Sequence, residues 1–314
     1  MLRYLISRLL LLVPTLFLIL LLTFVLASMG PIDPVVVVRQ QLASQGIMLT
    51  PESAHMLRQE LGLDKPVWVR FGRYVGNILR GDFGESFYSR TNVGSAIVRS
   101  FVISGPLGLA AMFILIIVGV PLGVLAALRQ NTGVDYLVVG SSVVFHSIPA
   151  FVLAPMVLLI VVLGVGMKFS LGWHGLFTPI GILVSILLAV GPMAVVVRQT
   201  RAGILEVFAN DYVRTARAKG LPEKAVIFRH ILRNALIPVV TSLGLMMSGL
   251  ITGSVFLDSI FGLAGFGGLF YQSIATRDYA ILMSCVLVSA FLVIGSNLLV
   301  DMIYPFLDPR VKFN

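Results

Sequence analysis

Long apolar runs separated by short charged stretches make up most of this 314-residue chain. Six runs lack Asp, Glu, Lys and Arg, and each is close to or above the roughly 20 residues that a helix needs to cross a bilayer core. They cover residues 9–27, 101–128, 136–167, a stretch within 169–197, 234–257 and 279–300. The pattern therefore predicts an all-α, polytopic membrane protein with six transmembrane helices.

The region between the first two runs, residues 29–99, is predicted to be an extracytoplasmic helical loop. Thr50, Pro51 and Glu52 form a helix-start signal, and Gly62 can end that helix near Leu61. A second helix is predicted over 66–80, because apolar residues recur there on one face (Val67, Phe71, Tyr74, Val75 and Ile78). Such a helix lies on the membrane surface or on other spans. The loop either acts at the outer mouth, as a gate or a docking surface, or only covers the spans.

These boundaries divide the chain into three parts. Residues 1–28 hold the N-terminal segment and first span, residues 29–99 form the outer loop, and residues 100–314 form a five-helix core that contains a charged loop over 198–234. Basic residues precede the first span, as they do in a signal peptide. Its apolar run is longer than the core of a signal peptide, so we expect the span to be retained.

The composition fits an integral membrane protein. Apolar residues make up 58% of the chain and charged residues only 12%, and the mean hydropathy is +0.99, far from the values of soluble domains. The single cysteine, Cys285, excludes an intramolecular disulfide and a cysteine metal cluster. The net charge of +9 does not indicate nucleic-acid binding, because most basic residues flank apolar runs.

The positions of those basic residues predict the orientation. With both termini in the cytoplasm, that side carries the basic residues of the termini, Arg129 and the eight of the 198–234 loop, while the short outer loops carry only Lys168 and Arg277. Cytoplasmic loops carry the excess of Lys and Arg in membrane proteins. We therefore expect a multi-pass membrane protein with both termini in the cytoplasm.

The charged loop over 198–234 is predicted to form two short helices joined by a bend. Asp211 can cap the first helix, Gly220 can end it in the left-handed conformation, and Pro222 suits the first turn of the second. Tyr212, Val213 and Ala216 are expected to form a small apolar knob surrounded by positive charge. A soluble partner could dock there, or the loop could lie on anionic lipid headgroups.

Small and helix-bending residues mark the spans. Gly119 with Gly123 and Gly249 with Gly253 form GxxxG pairs that allow close helix approach. Pro149 and Pro155 are expected to break the third span, either for a moving gate or for packing. The fifth span has a face of small and polar residues and is the preferred pore-lining element; its candidate residues are Ser242, Met246, Ser248, Gly249, Thr252 and Gly253.

The chain carries no recognisable energy source. His146 is the one titratable residue within the spans, and we expect it to be hydrogen-bonded and structural rather than a proton relay, so ion-coupled transport is disfavoured. No lysine belongs to a phosphate-binding loop, and no metal, cysteine-pair or nucleophile motif occurs. We expect the chain not to be an enzyme and to hold no cofactor.

The sequence DYVRTARAKGLP, followed by HILRNALIPV, resembles the cytoplasmic coupling loop of ABC-type importer permeases, most closely in the oligopeptide, dipeptide and nickel permease family. Arg214 replaces the usual Glu and Arg233 a usual Pro, as is common in that branch. The similarity extends to LGLDKP, GDFGES, SIPAF and FGLAGFGGLFYQSIATRDYAILM. Two features depart from the family pattern: Ala264 stands in place of a Pro, and the 168–175 loop is short.

The resemblance implies half of a two-fold permease pore in the bacterial inner membrane. Its partners would be a similar second permease subunit, two cytoplasmic ATPase subunits that carry ATP and Mg²⁺, an extracytoplasmic solute-binding protein and the bilayer. The residues implied in ATPase coupling are Asp211, Tyr212, Val213, Arg214, Ala216, Arg217, Lys219, Gly220 and Leu221. Peptides are the expected substrates. A nickel chelate or other small solute, an ion-coupled transporter and a membrane protein without transport activity remain alternatives.

Overall fold

The computed structural model describes residues 2–29, 34–44, 46–48, 50–60, 62–86, 88–164, 166 and 170–307. Across these residues the secondary structure is helical apart from one isolated antiparallel bridge, between Glu85 and Asn92. The helices are α1 (Leu2–Met29), α2 (Pro34–Ser44), α3 (Pro51–Glu60), α4 (Val67–Leu79), α5 (Val93–Ile114), α6 (Val120–Leu128), α7 (Gly133–Ser147), α8 (Ala150–Leu159), α9 (Pro179–Phe208), α10 (Asp211–Ala218), α11 (Glu223–Ala225), α12 (Leu232–Ala235), α13 (Ile237–Thr252), α14 (Val255–Phe261), α15 (Phe266–Ala275) and α16 (Tyr279–Leu307).

Five helical stretches of the described chain are long and apolar enough to cross a membrane, and a bent helix pair makes up to six. The five lie at 10–29, 93–128, 179–208, 237–261 and 279–303. The bent pair consists of α7 and α8 with its π-helical continuation Ile160–Gly164, and the helix axis bends by 103° between its two arms. All six predicted runs thus correspond to helices, and the all-α membrane fold is confirmed.

The third predicted run bends at only one of its two prolines. Pro149 lies in the extended conformation directly before α8, so α7 ends at Ser147 and the chain turns. Pro155 lies inside α8, which continues through it. The prediction that Pro155 breaks the span is wrong.

Helix α9 runs through the centre of the described bundle, where it packs against α5, α6, α7 and α13. Gly123 makes the α6–α9 approach possible, since a Cβ there would lie 2.5 Å from the Cβ of Thr200. A buried cluster that α9 shares with α13 and with the π-helical continuation of α5 includes Leu115, Ala189, Val196 and Leu250. The GxxxG pair at Gly119 and Gly123 therefore serves helix packing, as the sequence suggested.

The second GxxxG pair makes a close approach at only one of its two glycines. A Cβ at Gly249 would meet nothing within 4 Å, whereas a Cβ at Gly253, which has a φ of +73° at the end of α13, would lie 3.1 Å from Oγ of Ser104 in α5. The tighter approaches that involve α13 occur at Gly108, against the backbone of Leu250, and at Gly244, against Val300. A glycine pair shows that close packing is possible, but only the fold decides which glycines meet a neighbour.

The described part of the 29–99 region contains three helices of its own, α2, α3 and α4. Helix α3 begins as predicted, with the Thr50 hydroxyl accepting a hydrogen bond from the Ser53 N–H. Helix α4 packs against α1, and its Phe71 ring lies 5.6 Å from Phe17 and 5.4 Å from Phe24. The predicted end of α3 at Leu61 lies outside the described residues, and α2 was not predicted. Because α4 rests on the first span, the packing interpretation fits this helix.

A polar clip attaches the segment after α4 to the turn before α16. The Ser86 hydroxyl and the Tyr88 N–H both donate hydrogen bonds to Oδ2 of Asp278, which is buried. Asn92 then caps α5 by accepting a hydrogen bond from the Ser95 N–H at 2.9 Å. The 29–99 region is therefore attached to the helical bundle at two places, through α1 and through the turn before α16.

Candidate coupling site and translocation face

The coupling loop, residues 198–234, begins as an unbroken continuation of α9. This helix extends to Phe208, well past the end of the apolar run at residue 197. Asn210 occupies the N-cap position of α10, whereas Asp211 is the first helical residue, with an almost fully exposed side chain. The predicted cap, Asp211, is therefore wrong by one residue, because Asn210 holds that position. A short turn joins α10 to the long helix α9.

The bend after α10 forms at the predicted glycine. Lys219 is the C-cap of α10, and Gly220 follows with φ at +76°. A Cβ at Gly220 would meet nothing within 4 Å, so conformation rather than space requires glycine here. Pro222 then immediately precedes α11, one position earlier than predicted. The chain continues through a π-helical segment, Val226–Ile231, into α12.

One face of α10 packs into the interior of this chain. Val213 and Ala216 are buried in a cluster with Ile204 and Val207 of α9 and with Ile231. They cannot form the exposed knob predicted with Tyr212, because the amphipathic helix turns its apolar positions towards α9. The larger apolar side chains of the loop that remain accessible are Tyr212 and Leu221, each 41% exposed, and Phe228, 72% exposed.

The outer face of α10 is polar and mostly basic. Arg214 and Lys219 are exposed, and Asp211 lies 3.8 Å from Arg214. The Tyr212 hydroxyl accepts a hydrogen bond from Nδ2 of Asn234 at 2.8 Å, which ties α10 to the start of the next span. This face therefore combines one aromatic ring with several cationic groups at one end of the helical bundle.

Arg217 braces the bend across the turn. Its guanidinium donates two hydrogen bonds to Glu223, at 2.6 and 3.2 Å, and its Cζ lies 5.5 Å from the centre of the Phe208 ring. The hydrogen bond from Arg217 lowers the pKa of Glu223 and raises that of Arg217. The guanidinium thus joins the end of α9 to the residue that begins α11.

A second ion pair, which the sequence analysis missed, connects α9 with α7. Nε and a terminal nitrogen of Arg201 each lie 2.7 Å from an oxygen of Asp135, whose side chain is only 3% exposed. Oδ2 of Asp135 also accepts a hydrogen bond from the Asn131 N–H. The position of Asp135, directly before the third apolar run, was the available signal, but its partner lies 66 residues away in sequence.

The predicted pore-lining residues fall on different faces of α13. Ser248 is buried, and Met246 packs against the core cluster shared with α5 and α9. Ser242, Thr252 and Gly253 are half-buried. Gly249 is exposed, on the same stripe as Leu245, and Phe256 of α14 is also exposed. Pore lining stays a prediction, and this stripe is the face of α13 that could carry it.

The sequence matches two family profiles. Residues 119–313 match the family described as "Binding-protein-dependent transport system inner membrane component", and residues 1–108 match the corresponding N-terminal domain. The first match covers more than half of the chain. This chain belongs to that family of inner-membrane transport components.

Among curated members of this family, two peptide permeases are similar over their full length. The oligopeptide transport system permease protein OppB of Salmonella typhimurium is 35% identical over 314 residues, all of both chains. The dipeptide transport system permease protein DppB of Escherichia coli is 35% identical over an alignment of 351 residues, covering 99% of each chain. The chain is therefore a permease component of the oligopeptide and dipeptide branch.

The fold agrees with a solved transporter of the same general class. A chain from the inward-facing structure of the MetNI methionine ABC transporter superposes with a TM-score of 0.57 at 19% identity. The superposition covers 67% of this chain and 95% of that chain. At 19% identity the similarity supports the fold alone, and it covers 67% of this chain.

Proposed function

We propose that this chain forms half of the translocation pore of an ATP-driven importer for peptides. The observation that carries the proposal is full-length 35% identity to permeases named for oligopeptide and dipeptide transport. A similar second permease subunit would complete the pore, and an extracytoplasmic solute-binding protein would deliver the peptide. Both termini and the coupling loop lie in the cytoplasm in this proposal, as the distribution of basic residues favours.

The coupling loop is the proposed docking site for the ATPase. Helix α10 buries Val213 and Ala216 against α9 and turns Tyr212, Arg214 and Lys219 outward. A helix held in this way moves together with α9, so a force applied to its outer face reaches the spans. The buried residues of the coupling set position the helix, and the exposed ones meet the partner.

The ATPase subunits supply the energy in this proposal, with ATP and Mg²⁺ bound on those subunits. The permease itself performs no hydrolysis, and we propose no cofactor on this chain. A small solute such as a nickel chelate is the second candidate cargo, because the resemblance covers peptide and nickel permeases alike. Ion coupling has less support, since His146 is already engaged in a hydrogen bond with α9.

Reconstitution tests this proposal. The permease is co-purified with its partners, placed in vesicles with ATP inside, and supplied with radiolabelled tri-alanine and the binding protein outside. We expect uptake that requires ATP and persists after the proton gradient is collapsed. Uptake abolished by an uncoupler while ATP is intact would favour an ion-coupled transporter, and nickel uptake without peptide uptake would favour the second cargo.

A further inference from the structure

The elbow between α7 and α8 presents an imidazole deep within a membrane span. Nδ1 of His146 lies 2.7 Å from the carbonyl oxygen of Gly191 in α9. Because a carbonyl only accepts hydrogen bonds, Nδ1 must carry a proton, and in the tautomer with its proton on Nδ1 the other nitrogen, Nε2, is an acceptor. The side chain is exposed, and none of the described residues forms a hydrogen bond with Nε2.

The depth of this histidine follows from the two contacts that join α7 and α9. The Asp135–Arg201 ion pair joins the charged ends of the two antiparallel helices, and the His146–Gly191 bond joins them again further along. These contacts are separated by 11 positions on α7 and 10 on α9, which corresponds to about 16 Å along the helices. The imidazole therefore lies well inside a hydrocarbon core of about 30 Å.

The backbone at the elbow is also open. The 103° bend interrupts the helix at Ile148 and Pro149, and Ser147, Pro149 and Ala150 are exposed. Lipid does not tolerate exposed non-helical backbone at this depth, which occurs only where protein covers it or where it lines a water-filled cavity. An exposed polar side chain at this depth must likewise be covered by protein or face a water-filled cavity.

The arm beyond the elbow packs against α14, which follows α13 in the chain. The Phe151 ring, two residues beyond Pro149, lies 5.3 Å from the Phe256 ring of α14, and both rings are exposed. A Cβ added at Gly191 or at Gly249 would meet nothing within 4 Å, so space is open beside both. The aromatic contact thus places the arm that follows the histidine beside α14, the helix that continues from the candidate pore-lining helix α13.

From these contacts the geometry points to a substrate contact: His146 lines the translocation path, and its Nε2 accepts a hydrogen bond from an N–H group of the passing peptide. This assignment rests on the proposed function, which supplies the path and the class of cargo. Peptide amides and the terminal ammonium both donate such bonds, and the Gly191 carbonyl fixes the ring tautomer that can accept them.

The rate of thiol modification tests whether the elbow is exposed to water. In a Cys285→Ala background, His146→Cys is compared with Leu18→Cys in α1, an exposed apolar position, within the complete complex. We expect a membrane-impermeant cationic thiol reagent to modify position 146 about tenfold faster or more, and 10 mM tri-alanine with the binding protein to slow it. Equal rates at the two positions, or no protection by the peptide, would overturn the assignment.

A pair of substitutions separates substrate contact from anchoring. His146→Asn keeps a polar group at the Nδ1 position and removes Nε2, whereas His146→Gln does the reverse. We expect Asn to reduce maximal tri-alanine uptake about threefold or more and Gln to reduce it less. The opposite order would make His146 only an anchor of α7. If the wild-type complex imports tri-alanine while either test fails, this assignment is wrong and the proposed function stands.

Discussion

Two bends in this chain, the one after α10 in the coupling loop and the α7–α8 elbow, are held in opposite ways. The first has buried side chains on one side, a left-handed glycine at its centre and an ion pair across it. The second is held by the His146–Gly191 hydrogen bond, and most of its residues are exposed. The packed bend after α10 is therefore suited to transmitting force, whereas the open α7–α8 elbow is suited to contact with water and solute.

The largest expected effect comes from placing a charge in the packed bend. Val213→Asp would bury a carboxylate among apolar side chains, where it has no partner and lies far from water. We expect a large loss of thermal stability of the purified complex and loss of the co-purified ATPase. Thr215→Asp, two residues away on the exposed face of α10, is the control for stability alone, and its complex should unfold at nearly the wild-type temperature. Equal behaviour of the two variants would show that α10 is not packed as described.

Substitutions at Gly220 test the coupling bend through its backbone conformation alone. Gly220→Val should cost about 1–2 kcal/mol, because a β-branched residue resists the left-handed region, whereas Asn tolerates it. We expect Gly220→Val to abolish transport with membrane insertion intact, and Gly220→Asn to retain most of it. The measurement is peptide uptake normalised to inserted protein, and full uptake by the Val variant would argue against a coupling role for the bend.

The open bend should tolerate substitution better than the packed one. Pro149 has a φ of −59°, which Ala also adopts, and its side chain is exposed. Pro149→Ala should therefore lower stability by only about 0.4–1 kcal/mol, through the greater freedom of the unfolded chain. Thermal unfolding in detergent measures this. A loss as large as that of Val213→Asp would mean that the elbow is as tightly held as the coupling bend.

The smallest expected effect concerns pH. Arg217 lowers the pKa of Glu223 below its ordinary 4.5, so the pair stabilises the fold above that pH and ceases to do so as the pH falls through the lowered pKa. Because both side chains are exposed, the contribution is at most about 0.5 kcal/mol. The stability difference between wild type and Glu223→Gln should be present at pH 7 and shrink below about pH 4.5. A constant difference would exclude this ion pair as its cause.

Local signals predicted the positions of helices and bends well. The charge-free runs marked every span, and Gly220 and Pro222 placed the coupling bend to within a residue, because their backbone preferences act without help from distant parts of the chain. The start of α3 at Pro51 followed from its cap for the same reason. These features depend on neighbours in sequence.

Features set by distant contacts could not be predicted. Val213 and Ala216 seemed available for docking until α9, extended beyond its apolar run, was found to cover them. Gly249 seemed to be a packing glycine, yet Gly108 and Gly244 make the close approaches. The Asp135–Arg201 pair spans 66 residues, and the angle at Pro149 depends on what α8 packs against.

The proposed coupling requires that the outer face of α10 contacts an ATPase subunit. A photo-crosslinking amino acid at Arg214 in the complete complex, with Thr91 of the 29–99 region as the control position, tests this directly. Mass spectrometry should identify an ATP-binding subunit joined to position 214 and none joined to position 91. Crosslinks from position 214 to lipid alone, or an ATPase captured at position 91, would contradict the coupling role and the orientation of the chain.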